Sequence, residues 1–344
     1  MIRLQLPVLD SLADIQAAVQ TAIEIEFSTL PPYLYAASSI LPGTNAPAVA
    51  CLREIIHEEM IHLCLASNIM NAIGGSPQMT VPKFPGPLPG DVGRNPDGTQ
   101  FSVHLYPFSP ESMKQGMNIE EPDEPIDPPE MEKLMAMAIA SETGSIADYY
   151  RHLENALSQL PASAWQPGRN QIDDSQFFQG QLFAVNSFAD AQKAISDIVS
   201  EGEGSSDSPL NFEGEVSHFY RFQEIYRNQV LTKANNAVGY VWGLPLGIDY
   251  AAAYPAITDP CIHDFSHEPA AAQAAQVRCN SAFSDMVDAL QLAFNGQPAQ
   301  LGVGVRSMFA LRQAMQAALT TPLADGHSVA GPSFLYIPQN QRQS

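Results

Sequence analysis

Residues 53–75 read REIIHEEMIHLCLASNIMNAIGG, and the step from Glu59 to His62 within them decides the fold. At 3.6 residues per turn, side chains three apart share a helix face, so this carboxylate and this imidazole point the same way. Leu52, Ile55, Ala66, Ile69 and Ile73 continue that face at steps of three and four. The pair therefore sits in an apolar stripe that turns towards a core. A carboxylate buried there needs a partner, and Glu-x-x-His is a spacing that ligates metals.

Three more stripes carry the same intrusion. Residues 11–40 predict a long helix with Leu12, Ile15, Val19, Ile23, Glu26, Leu30 and Tyr33 on one face. Pro31 and Pro32 predict a kink one turn beyond its glutamate. Residues 130–160 predict a helix with Met135, Ile139, Glu142, Ile146, Tyr149 and Leu153 aligned, and residues 212–230 another with Glu215, His218, Phe222, Ile225 and Gln229. The second helix spans about 46–73 and stops at Gly74-Gly75. Shorter patterns predict helices over 188–200, 268–294 and 298–319, the last two divided by FNGQP, and an extended tail. Residues 76–129, with FPGPLPG, NPDG and EEPDEPIDPP, exclude a long regular element; their Phe84, Leu88, Phe101, Leu105, Tyr106 and Phe108 favour a packed lid or binding surface over disorder.

The order is thus Glu, Glu-x-x-His, Glu, Glu-x-x-His. Four antiparallel helices bearing that set match the dimetal carboxylate bundles, with Glu26, Glu59, His62, Glu142, Glu215 and His218 as candidate ligands. Four carboxylates and two neutral imidazoles balance two divalent cations, and this donor chemistry suits iron, manganese or zinc. Glu58 is the rival to Glu59, and Asp148 and Glu154 are rivals to Glu142 on the third helix. The neighbouring Glu54/His57 pair lies roughly 140° round the helix and reads as surface. His263 and His267 read as surface histidines at a helix start. Tyr33 and Tyr149 lie two turns beyond their glutamates, which hints at an internal duplication, and read as half-buried aromatics with second-sphere or redox roles as the sharper alternative.

Composition narrows the rest. The 344 residues include 16 basic and 37 acidic side chains, a net charge of −21, which argues against nucleic acid and anionic membrane as partners. A hydrophobic share of 45% is ample for a core, yet no apolar run is long enough to span a bilayer and no signal-like start is present. Cys51 and Cys64 stand too far apart on one helix to bridge, a Cys261–Cys279 bridge is left open, and no Cys-x-x-Cys occurs, so a cytoplasmic protein is expected. A homo-oligomer is left open.

The stretches EIEFSTLPPYLYAASSI, REIIHEEMIHLCLASNIMNAIGG, FPGPLPG, EVSHFYRFQEIY, FNGQP and VAGPSF resemble the ferritin-like proteins related to the iminophenylpyruvate dimer synthase of violacein biosynthesis. The resemblance implies an oxidative enzyme acting on an amino-acid-derived imine, such as the coupling of two indole-3-pyruvate imines. The expected architecture is all-α: a ferritin-like four-helix bundle over 1–235, including the insertion 76–129, and a C-terminal helical extension over 236–344 packed on it. The expected activity is that of a non-haem dimetal oxidoreductase with a small-molecule substrate and two divalent ions, iron foremost. The competing expectation is a metal-binding or storage protein without turnover.

Overall fold

The computed structural model describes residues 3–89, 93–95, 97–122, 125, 143–173, 177–204, 208–233 and 239–342. Two 27-residue helices, α1 (Leu12–Ser38) and α2 (Ala46–Ala72), form its centre. The Ser11 side chain caps α1 by accepting the Asp14 amide, and α1 remains one helix through Pro31 and Pro32. Gly74, at φ 79°, ends α2 in the conformation that a residue without Cβ adopts freely.

Two pairs of short helices close the bundle: α3 (Pro110–Ile119) with α6 (His218–Arg227), and α4 (Ile146–Ser158) with α5 (Phe188–Gly202). Helices α3 and α4 lie against α1, and α5 and α6 against α2. The fold is an all-α bundle, and the strand pairs among the described residues are small. Strand β1 (Arg3–Gln5) lies between β3 (Gly93–Arg94) and β5 (Thr143–Gly144), β2 (Gly86–Pro87) pairs with β4 (Ser102–Val103), and β6 (Gln229–Lys233) with β7 (Tyr240–Pro245).

The hairpin of α7 (Ala270–Phe294) and α8 (Leu301–Leu319) also packs on the α1–α2 pair, with Phe283 stacked 6.1 Å from Phe27. Gln276, Asn280 and Ser284, one turn apart on α7, hold the extended tail through Gly331, Ser333, Leu335 and Ile337. All four cysteines are free thiols, and no helix among the described residues is long and apolar enough to cross a membrane.

Three expectations change. The helix expected over 130–160 is described only from Ile146, where Ser145 caps it after β5, and residues 126–142 lie outside the described set. The helix expected over 212–230 begins only at His218, because Asn211 accepts the Glu213 and Glu215 amides in a turn and Gly214 stands at φ 85°. It ends at Asn228 in the left-handed region, and the chain continues as β6. Within 76–122, a regular helix does form: Ser109 and Ser112 make a reciprocal capping box and start α3.

The α3–α6 contact leaves no spare volume, since a Cβ on Gly116 would stand 2.7 Å from the Phe222 ring. Gly116→Val should therefore cost about 1–3 kcal/mol, as overpacking does. A urea unfolding curve with an unchanged midpoint would contradict this packing.

Candidate metal centre

Helix α1 contributes Glu26 and α2 contributes Glu59 and His62, each at most 4% exposed. The third carboxylate is Glu120, the residue after α3, and the second imidazole is His218, the first residue of α6. The structure forms two overlapping donor sets, Glu26, Glu59 and His62 on one side and Glu59, Glu120 and His218 on the other, with the donor atoms of each set within 4.8 Å of one another. Metal–ligand bonds of about 2.0–2.2 Å place donors at such separations.

Each outer carboxylate is held on one oxygen and offers the other. Tyr150 Oη donates to Glu26 Oε1 at 2.6 Å, while Glu26 Oε2 lies 3.6 Å from His62 Nδ1. Tyr33 Oη donates to Glu120 Oε1 at 2.6 Å, while Glu120 Oε2 lies 3.8 Å from His218 Nδ1. The shared Glu59 receives a hydrogen bond from Thr29 on Oε2 at 2.7 Å and turns Oε1 towards both rings, 4.0 Å from His62 Nδ1 and 2.9 Å from His218 Nδ1.

The histidines are held from behind. His62 Nε2 donates to Glu201 at 2.7 Å, and His218 Nε2 donates to Glu58 at 2.7 Å. A carboxylate can only accept, so each Nε2 carries a proton and each Nδ1 faces the centre, the arrangement that outer carboxylates impose on metal-binding histidines. His218 Nδ1 is fully buried and makes no aligned hydrogen bond despite its proximity to Glu59. A cation held by Glu59, Glu120 and His218 would satisfy it.

The electrostatics are those of a site short of positive charge. Burial pushes the Glu59 carboxyl up to about 7, and the nearby Glu120 and Glu26 push the same way against His218. Burial also opposes charge on both imidazoles, but the facing carboxylates outweigh it and hold His62 and His218 well above the ordinary histidine range. Burial would raise Glu58 too, yet His218 and Arg221 bring it down to about 2. Beside Glu26, Glu59, His62 and Glu120 lies a cavity of about 20 Å³, walled by Ile25, Ile146 and Ile198.

Of the six residues expected from sequence, Glu26, Glu59, His62 and His218 come together. Glu215 does not: its side chain is exposed in the turn before α6 and pairs with Arg221 at 3.1 Å. Its three-residue step to His218 is not helical, so the two share no face. Glu142 lies outside the described residues. Glu120, unexpected from sequence, stands in a stripe of its own, Met113, Met117 and Glu120, behind the Ser109 cap. Tyr33 has a counterpart in Tyr150, whereas Tyr149 donates to the Ala18 carbonyl instead. Asp148 pairs with Arg151 on the surface.

The sequence profile of the Ferritin-like family matches residues 19–227, a span that contains all five central residues. The chain belongs to the Ferritin-like family. It is 26% identical over 255 residues to the 2-imino-3-(indol-3-yl)propanoate dimerase of Chromobacterium violaceum, an alignment covering 63% of this chain and 23% of that protein. The chain thus spans under a quarter of the length of that curated relative. A crystal structure of a ferritin-like protein from Caulobacter vibrioides superposes with a TM-score of 0.64 over 95% of this chain and 100% of that one, at 21% identity, a likeness of fold.

The charge balance fixes a pH dependence. Both histidines have folded pKa values raised above the unfolded value, so their stabilisation is complete below about 6.5 and lost as pH rises through the folded values. The raised Glu59 adds a loss in the same direction between its unfolded value of 4.5 and about 7. Metal-free protein should therefore melt at a lower temperature at pH 8.5 than at pH 6.5. Added divalent metal should reverse the trend, because binding needs deprotonated donors. Calorimetric scans at both pH values, with and without metal, check both signs.

Proposed function

We propose that the protein is a non-haem dimetal-carboxylate oxidoreductase acting on a small organic substrate. The observation that carries this reading is the doubled donor set meeting at Glu59, with each imidazole backed by a carboxylate. Glu26, Glu59 and His62 would hold one ion, and Glu59, Glu120 and His218 the other. Iron is the first candidate, and manganese and zinc share its preference for imidazole and carboxylate. Such a pair, when bound, supplies activation of dioxygen or peroxide.

The chain's own residues do the rest. Tyr150 and Tyr33 fix the outer carboxylates by donating a hydrogen bond to the oxygen turned away from the centre, and Glu201 and Glu58 fix the rings. The Ile25, Ile146 and Ile198 side chains exclude bulk water from the cavity, whose 20 Å³ suits a water molecule or a diatomic oxidant. Oxidative coupling of an amino-acid-derived imine is the reaction that the likeness to the indolic imine dimerase supports.

The small cavity favours one second reading, a metal-binding or storage protein whose centre admits ions and oxidant alone. Assembly into a large closed shell, seen by light scattering, would support storage over turnover on an organic substrate.

Metal analysis tests the centre. Protein purified after iron supplementation should carry two ions per chain, and clearly fewer would overturn the dimetal reading. Glu59→Ala removes the shared carboxylate and should reduce the content below one ion, whereas Glu215→Ala should leave it at two.

A further inference from the structure

The surroundings of the centre form two halves with the same kinds of outer partner. Tyr150 holds Glu26 and Glu201 holds His62 in one half; Tyr33 holds Glu120 and Glu58 holds His218 in the other. They differ in one buried charge. Arg221, 7% exposed at its side chain, donates to Glu58 at 2.9 Å. Among the described residues, Glu201 pairs with no lysine or arginine.

This difference bears on metal affinity in two ways. An imidazole that donates to an uncompensated carboxylate becomes a stronger electron donor at its other nitrogen, and one that donates to a carboxylate shared with a guanidinium gains less. The guanidinium also repels a cation beyond His218, in a buried region where screening is weak. Glu215 and Glu54, which also approach Arg221, have side chains 57% and 66% exposed, so water damps their compensation.

We propose that the two metal positions are inequivalent. The position at Glu26, Glu59 and His62 fills first and about tenfold or more tightly, because Arg221 neutralises the carboxylate behind His218 while the one behind His62 keeps its charge. This rests on the dimetal reading above and adds the order of filling.

Titration of the full chain, stripped by chelator, with Mn²⁺ at pH 7 tests it, with calorimetry for affinity and paramagnetic resonance for free ion. The wild type should take up two ions in two steps at least about tenfold apart. Glu201→Gln keeps an acceptor for His62 but removes the charge, and should weaken the first step selectively. Arg221→Met should tighten the second step and bring the two together. It also leaves Glu58 buried without its cation, so if circular dichroism shows it unfolded, Glu201→Gln decides alone. Two ions bound in a single indistinguishable step, or a Glu201→Gln variant weakened equally in both steps, overturns the inequality and leaves the dimetal reading standing. Fewer than two ions at saturation overturns both.

Discussion

Three carboxylates with almost no solvent, Glu26, Glu59 and Glu120, meet in the core of a helical bundle, and the structure around them is shaped by their mutual repulsion. Removing one anion from water is costly, and three in contact cannot all stay ionised unless positive charge joins them. The protein supplies part of it through His62 and His218, while burial, Glu120 and Glu26 still push Glu59 up to about 7. Thr29, Tyr33 and Tyr150 all donate to the carboxylates. Their donation orients the anions and leaves the net charge unchanged, so a bound cation would be needed to remove the deficit.

The short helices sharpen that deficit. Glu120 follows the last turn of α3, and Glu201 and Glu203 close α5, so three carboxylates stand at helix C-termini, where the macrodipole disfavours negative charge by about 0.3–1 kcal/mol each. Two helix ends thus converge their negative poles near one cluster. Glu203 recovers part of the cost by accepting the Ala147 amide and so capping the start of α4.

The long helices were legible in the sequence because one periodicity runs through each. A glutamate inside an apolar stripe identified Glu26 and Glu59 on that basis, and the same test finds Glu120 once α3 is recognised behind its Ser109 cap. What hid α3 was the Pro- and acid-rich chain following it, which reads as loop. Glu215 misled for the converse reason. Glu-x-x-His implies a shared face only inside a helix, and Ser217 is where this helix begins. Asn211 and Gly214 mark the preceding turn and are visible in the sequence. The partners behind the rings, Glu201 and Glu58, leave no such trace, since only the folded chain brings residue 201 to residue 62.

Polar groups elsewhere in the same core separate this cluster from an ordinary set of satisfied polar residues. Asn68 uses both ends of its amide on Ile172 and Phe183, and Asn71 reaches Asn170 and Phe294. On the far side of α1 and α2, the cavity lined by Leu30, Met60, Leu63, Met286 and Met308 holds no polar surface at all. Among the described residues, most buried polar side chains are thus paired. Of the buried side-chain atoms left without a hydrogen bond, Ser217 Oγ, Gln223 Oε1 and Ser281 Oγ belong to a rotatable hydroxyl or to an amide with a second functional end. His218 Nδ1 has neither freedom, because Glu58 fixes its ring. It faces two carboxylates that are themselves held in place, and a core able to satisfy Asn71 could have satisfied this nitrogen with one hydroxyl. A donor left open between anions, with its tautomer set from behind, is the condition that a metal ion requires and a purely structural core does not.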